Sequence, residues 1–203
     1  MLKVFAHPAS TCTRKVLATL AETNTPYEFT LVDFAKGEHK AAAHMERQPF
    51  GQVPAINDDG FALYESRAII RYINDKFGGK LVPANTQQRA LMDQWMSVET
   101  SNFTPHAMKF VYHHIFGRPQ GEDVLAAADT ALNATLTVMD KQLGTTVYLT
   151  GADFTLADIC FLPYMEYAMA TPAKSILSKY ANVMAWWNRC SERPAWQKAA
   201  GRG

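Results

Sequence analysis

Cysteine is scarce in this chain of 203 residues: Cys12, Cys160 and Cys190 are the only three, widely spaced and without a CxxC pair. An odd number at such spacing speaks against a disulfide framework or structural zinc cluster and suits a reducing compartment. Charge of one sign is missing too. Lys and Arg number 20 against 19 Asp and Glu, a net charge of +1, which gives no electrostatic reason to expect nucleic acid or an anionic membrane as partner. No apolar run approaches the roughly 18 residues of a spanning helix. The opening MLKVFAHPAS reads as a short strand and a Pro turn, with no long apolar core and no cleavage pattern. His113-His114 lack an HExxH context, so no metal site is expected, and neither a Ser-His-Asp order nor a Gly-rich phosphate loop is present. What remains is an ordinary globular composition, 48% apolar and 19% charged, long enough for a real core and expected in the cytoplasm.

Periodicity divides the chain. Residues 1–78 alternate between element types: Leu2 to Phe5 is a strand, Thr13 to Glu22 carries Val16, Leu17 and Leu20 at helical spacing, and Tyr27 to Val32 alternates as a half-buried strand does. A Gly37 loop, a short helix near His39 to Glu46, a hairpin and a further helix follow. Residues 79–88, around Gly78-Gly79 and Pro83, read as a linker. From 89 to 203 no strand recurs. Gln87 to Phe116 is expected as one long helix bent near Pro105. Leu125, Leu132, Leu136, Met139 and Leu143 share one helix face. Thr155 with Asp158 forms an N-cap with an acidic N3, Phe154 and Ile159 stand at staple positions, and Asn182–Cys190 and Pro194–Ala199 complete the helices. Trp186-Trp187 are expected to pack one face of a late helix.

The richest stretch is Pro49 to Arg71, PFGQVPAINDDGFALYESRAIIR. Val53, Ala55 and Ile56 around Pro54 give a strand, Asn57-Asp58-Asp59-Gly60 is turn chemistry, and Phe61 to Tyr64 returns. Ser66 stands where an N-cap belongs. A helix opening off a hairpin aims unpaired N–H groups at one spot, which favours a carboxylate.

This segment resembles the cytosolic glutathione transferases. Together with FAHPASTCTRKV, DFAKGEHK and FTLADI, it is similar to the phi class of plants and its bacterial relatives. The resemblance covers nearly the whole chain. It implies an α/β N-terminal thioredoxin-like domain, matching the βαβ then ββα order, plus an all-α C-terminal helical domain contributing the electrophile pocket.

Such an enzyme needs a thiolate where a thiol of pKa near 8.5 is only a few per cent ionised. Lowering that pKa by about two units takes roughly 2.7 kcal/mol of preferential stabilisation of S⁻. A hydroxyl donating to sulfur and the N-terminal dipole of a helix both contribute. Ser10, at the junction of the first strand and first helix, is where both converge. The resemblance places the activating serine at Ser10, the first position of its STxxxxV pattern. Thr11 is the nearest rival, and a thiolate at Cys12 would give mixed-disulfide chemistry instead.

The remaining glutathione contacts implied by the resemblance are His39 and Lys40 on the glycine carboxylate, and Gln52 with the Val53 backbone on the cysteinyl residue. A cis bond is implied between Val53 and Pro54. Glu65 would hold the γ-glutamyl amine, and Ser66 its carboxylate. Phe34, Phe103, His106, Phe110 and His113 are candidates for an apolar electrophile pocket. Phe50 resembles an aromatic key inserted into a partner subunit, implying a homodimer. Glutathione enters as a co-substrate, with no permanent cofactor, and the partners are small hydrophobic electrophiles. Glutathione-dependent peroxidase or thiol-transferase activity and a non-catalytic ligandin-type binder are the alternative readings.

Overall fold

The computed structural model describes residues 1–202. They form two compact units, Met1–Lys80 with Arg193 onward, and Leu81–Glu192.

The first unit contains β1 (Leu2–Ala6), α1 (Thr11–Glu22), β2 (Glu28–Leu31), a 3-10 turn (Glu38–Lys40), α2 (Ala42–Met45), β3 (Ala55–Asp58), β4 (Phe61–Tyr64), α3 (Ser66–Lys76) and α10 (Pro194–Ala199). The strand order is β2-β1-β3-β4, with β1 and β2 parallel and the other pairs antiparallel. This is the mixed sheet with helices expected of the thioredoxin-like half. The hairpin loop is tighter than expected. Asn57 and Asp58 belong to β3, and only Asp59 and Gly60 turn, both at positive φ, the conformation a two-residue turn needs to match strand twist. Asn57 Oδ1 accepts the Gly60 N–H at 3.1 Å. β2 departs from the half-buried expectation: Phe29 and Leu31 are exposed, because the strand lies at the sheet edge and has a neighbour on one side only.

Residues 193–202 pack with the first unit, although their helical pattern suggested the second domain. α10 packs on α1, and Arg193 makes a bidentate pair with Glu22 at 2.6 and 2.8 Å. Periodicity identifies a helix but not the surface that receives it.

The second unit contains α4 (Thr86–Val98), α5 (Thr104–His114), α6 (Glu122–Leu143), α7 (Leu156–Met169), α8 (Lys174–Leu177) and α9 (Ala181–Ser191). The connection ends earlier than residue 88, because Asn85 caps α4 by accepting from Gln87 N and Gln88 N. The expected long helix is helical throughout 86–114, with one interruption of its regular ladder near Pro105. A π-helical turn at Glu99–Phe103 separates α4 from α5, just before Pro105, which lacks the N–H that a continuous ladder requires. Leu132, Leu136, Met139 and Leu143 are buried as the α6 pattern requires.

Thr155 and Asp158 form a complete capping box at the start of α7. Asp158 is fully buried and accepts from Leu149 N, Thr155 N, Thr155 Oγ1 and Trp186 Nε1. Burial pushes its carboxyl above the usual range, and those hydrogen bonds pull it back. Trp186 and Trp187 are both buried, as expected of a packed helix face.

Candidate functional site

Strand register assembles the site. Phe5 on β1 lies opposite Ala55 on β3, Ala6 lies beside Leu31 on β2, and Ala55 faces Tyr64 on β4. The C-terminal ends of β1, β2 and β4 and the start of β3 therefore share one end of the sheet. Loops 7–10, 32–40, 51–54 and 65–66 all emerge there, though they are far apart in sequence.

Ser10 is the N-cap of α1 with extended backbone (φ −73°, ψ 127°), and its Oγ accepts from Thr13 N at 3.3 Å. That bond uses an oxygen lone pair, and the hydroxyl hydrogen has no acceptor among the described residues. The turn is pinned by His7: its carbonyl accepts from Ser10 N at 2.9 Å and its Nδ1 from Ala9 N at 3.2 Å. α1 begins at Thr11, two residues earlier than its apolar spacing suggested, and Thr11 and Cys12 are its first two residues, both half-buried.

Ser66 departs from its expected capping role. The N-cap of α3 is Glu65, and no side chain caps this helix. Glu65 is exposed and holds φ +69°, ψ 108°, a conformation that costs a non-glycine residue on the order of 1–3 kcal/mol. Ser66 is the first helical residue. It is 3% exposed, and its Oγ has no hydrogen-bond partner. An uncapped helix start with a buried unpaired hydroxyl is suited to an anion with several oxygens.

The Val53–Pro54 bond is cis. The Val53 N–H and C=O make no hydrogen bond among the described residues, and the Gln52 side chain is exposed. Lys40 does not stand free: its Nζ donates to Phe50 O at 3.0 Å. His39 is half-buried with an enclosed, unpartnered Nδ1. Phe34, 40% exposed, stacks on His7 at 4.4 Å and meets His39 edge-on at 5.1 Å. His7, His44 and Gln48 were not identified from sequence. The available signal for the latter two was a polar pair at i, i+4 ahead of the Pro-Phe-Gly turn.

The aromatic candidates in the second unit divide. Phe103 is 0% exposed with its ring 5.2 Å from Phe161, so it is core and does not line an open pocket. Phe110 is also buried. Helical spacing alone does not distinguish a core face from a ligand face. His106 is half-buried, and His113 Nδ1 accepts from Gln120 N at 3.0 Å. Phe50 is 62% exposed, with Tyr64 its ring neighbour at 6.1 Å. Among the described residues no helix is long and apolar enough to cross a membrane, and no group of three His, Cys, Asp or Glu could hold a metal ion.

Residues 1–75 match the glutathione S-transferase N-terminal domain and residues 103–194 the C-terminal domain. The chain is 35% identical to glutathione S-transferase F6 of Arabidopsis thaliana over 97% of its own length and 98% of the relative's. The crystal structure of glutathione transferase F7 from Populus trichocarpa superposes with a TM-score of 0.94 at 35% identity, covering 100% of both chains. Glutathione S-transferase I from maize, solved with an atrazine glutathione conjugate, superposes at 0.91 with 32% identity over 99% and 97%. The chain belongs to the glutathione S-transferase family, as a phi-like member with the family's two-part fold, and is an enzyme that transfers groups to glutathione.

Proposed function

We propose that Ser10 activates glutathione by donating its hydroxyl hydrogen to the cysteinyl sulfur. The observation that carries this reading is the Ser10 hydroxyl, whose oxygen is anchored by Thr13 N while its hydrogen has no acceptor. The thiol proton passes to solvent. The thiolate then attacks an electrophilic carbon of an apolar substrate, forming the S–C bond as the leaving group departs with its electron pair. The start of α1 adds a smaller electrostatic share.

Ser66 with the open N–H groups of α3 takes the γ-glutamyl carboxylate, and Glu65 the amine. The free Val53 backbone pairs with the cysteinyl residue beside Gln52 and the cis Pro54. His39 and Lys40 serve the glycine carboxylate, the Lys40 ammonium with the donor hydrogens left beyond its bond to Phe50 O. Glutathione is a co-substrate, and no resident cofactor takes part. Phe34 belongs to the apolar surface for the electrophile, and the conjugate held by the maize relative supports a hydrophobic substrate. Phe50 is the contact of a homodimer.

Titration of the ultraviolet thiolate absorbance of bound glutathione tests the role of Ser10. Ser10→Ala raises the apparent thiol pKa by one to two units, on the order of 1.4–2.7 kcal/mol, with a matching loss of conjugation to chlorodinitrobenzene. Superimposable titrations overturn it. Turnover that survives Ser10→Ala but is lost in Cys12→Ala moves the chemistry to thiol transfer, and retention on immobilised glutathione without turnover moves it to a ligandin.

A further inference from the structure

We infer that His44 and Gln48 are positioning residues for glutathione binding, a buried pair that fixes the backbone of loop 50–54 in its binding shape before the tripeptide arrives. The inference rests on the reading above that Gln52 and Val53 meet glutathione.

His44 lies on α2, and Gln48 follows one turn later, its N–H donating to His44 O at 2.9 Å. Four residues apart in helical geometry, the two side chains project from one face. Both are buried, Gln48 to 2% exposure. Gln48 Oε1 accepts from Phe50 N at 2.8 Å and from Gln52 N at 3.1 Å. His44 Nε2 lies 2.6 Å from Gln52 O. A carbonyl has no hydrogen to give, so Nε2 is the donor, and the enclosed Nδ1 has no partner.

Three backbone groups are thus held by two side chains, and Lys40 Nζ holds a fourth, Phe50 O. Gly51, at φ +61°, donates its N–H to Gln48 O. A Cβ there would come within 2.6 Å of Lys40 Nζ and 2.9 Å of His39 O. With Phe50 and Gln52 held at both N–H and C=O, and Gly51 at its N–H, Val53 has neither backbone group paired among the described residues, and the Gln52 side chain beside it is exposed. These are the groups assigned to the cysteinyl residue. A loop already ordered does not lose that freedom again on binding, so the pair acts on affinity. Neither side chain lies on the element that bears Ser10, so the chemical step is not its target.

Gln48 functions only as an acceptor here, which separates positioning from packing. Gln48→Glu keeps an acceptor oxygen, whereas Gln48→Leu keeps the bulk and loses it. We expect Gln48→Leu and His44→Phe each to raise the KM for glutathione about tenfold with kcat within about twofold of wild type, and Gln48→Glu to remain within about threefold on both. Circular dichroism and S-hexylglutathione calorimetry on the same proteins confirm folding and read affinity directly. Gln52→Ala serves as the reference for the underlying site. If Gln52→Ala weakens S-hexylglutathione binding while Gln48→Leu and His44→Phe do not, the positioning role is overturned and the site stands. If none of the three weakens it, both readings fall. Equal impairment of Gln48→Glu and Gln48→Leu also overturns the inference, because volume and not the accepted hydrogen bonds would then matter.

Discussion

Replacing Asp158 by alanine should cost the second unit about 4 kcal/mol. The carboxylate accepts from three buried N–H donors: Leu149 N at 3.1 Å, Thr155 N at 2.9 Å and Trp186 Nε1 at 2.9 Å. Each donor left unpaired in the interior costs about 1–3 kcal/mol. Water entering the vacated space would re-satisfy part of this, which keeps the loss toward the lower end of the total. Asp158→Asn should cost less, about 2 kcal/mol. Its Oδ1 retains Leu149 and Trp186, while the new amide faces the Thr155 N–H donor to donor. Against a typical total of about 5–15 kcal/mol, the alanine loss is a large fraction. Urea unfolding followed by tryptophan fluorescence reads the order directly, since Trp186 is itself a partner. An alanine variant within about 1 kcal/mol of wild type, or one equal to Asp158→Asn, would refute the reasoning.

Two further outcomes follow from local geometry. Asp58 on β3 accepts from Lys76 Nζ and from Tyr72 Oη on α3, and these bonds hold its carboxyl below the ordinary range. A depressed folded-state value contributes stability above the ordinary carboxylate range, and that contribution is lost as pH falls through the folded value. Asp58→Asn should therefore lower Tm at neutral pH and flatten its decline below about pH 4; parallel melting curves for variant and wild type would contradict this. Burial of the exposed Phe50 ring at a two-fold interface is worth about 2 kcal/mol per ring and counts twice. Phe50→Ala should then raise the dimer Kd by about three orders of magnitude in sedimentation; an unchanged Kd, or a monomeric wild type, rules out the key.

Local chemistry made some elements legible from sequence. The Thr155–Asp158 box and the apolar face of α6 each follow from residues within one or two helical turns of one another. The hairpin was also foreseen, though its turn proved shorter than the Asx-rich run implied. The resemblance extended this to the candidate glutathione residues and to the cis Val53–Pro54 bond, which unaided statistics do not favour.

Other features were decided only by tertiary structure, because their partners lie far away in the chain. The helical pattern of 194–199 does not reveal that Arg193 reaches Glu22. Phe103 and Phe34 are equally aromatic, yet one is enclosed against Phe161 and the other half-open beside His7. Lys40 carries the charge a carboxylate wants, and nothing in the sequence reveals that its Nζ also donates to the Phe50 carbonyl ten residues on. Sequence determined which segments become strands and helices, since backbone preference and apolar period act over a few residues. Strand register and remote packing then determined which of those segments meet at one end of the sheet, and so where Ser10, Val53 and Ser66 stand.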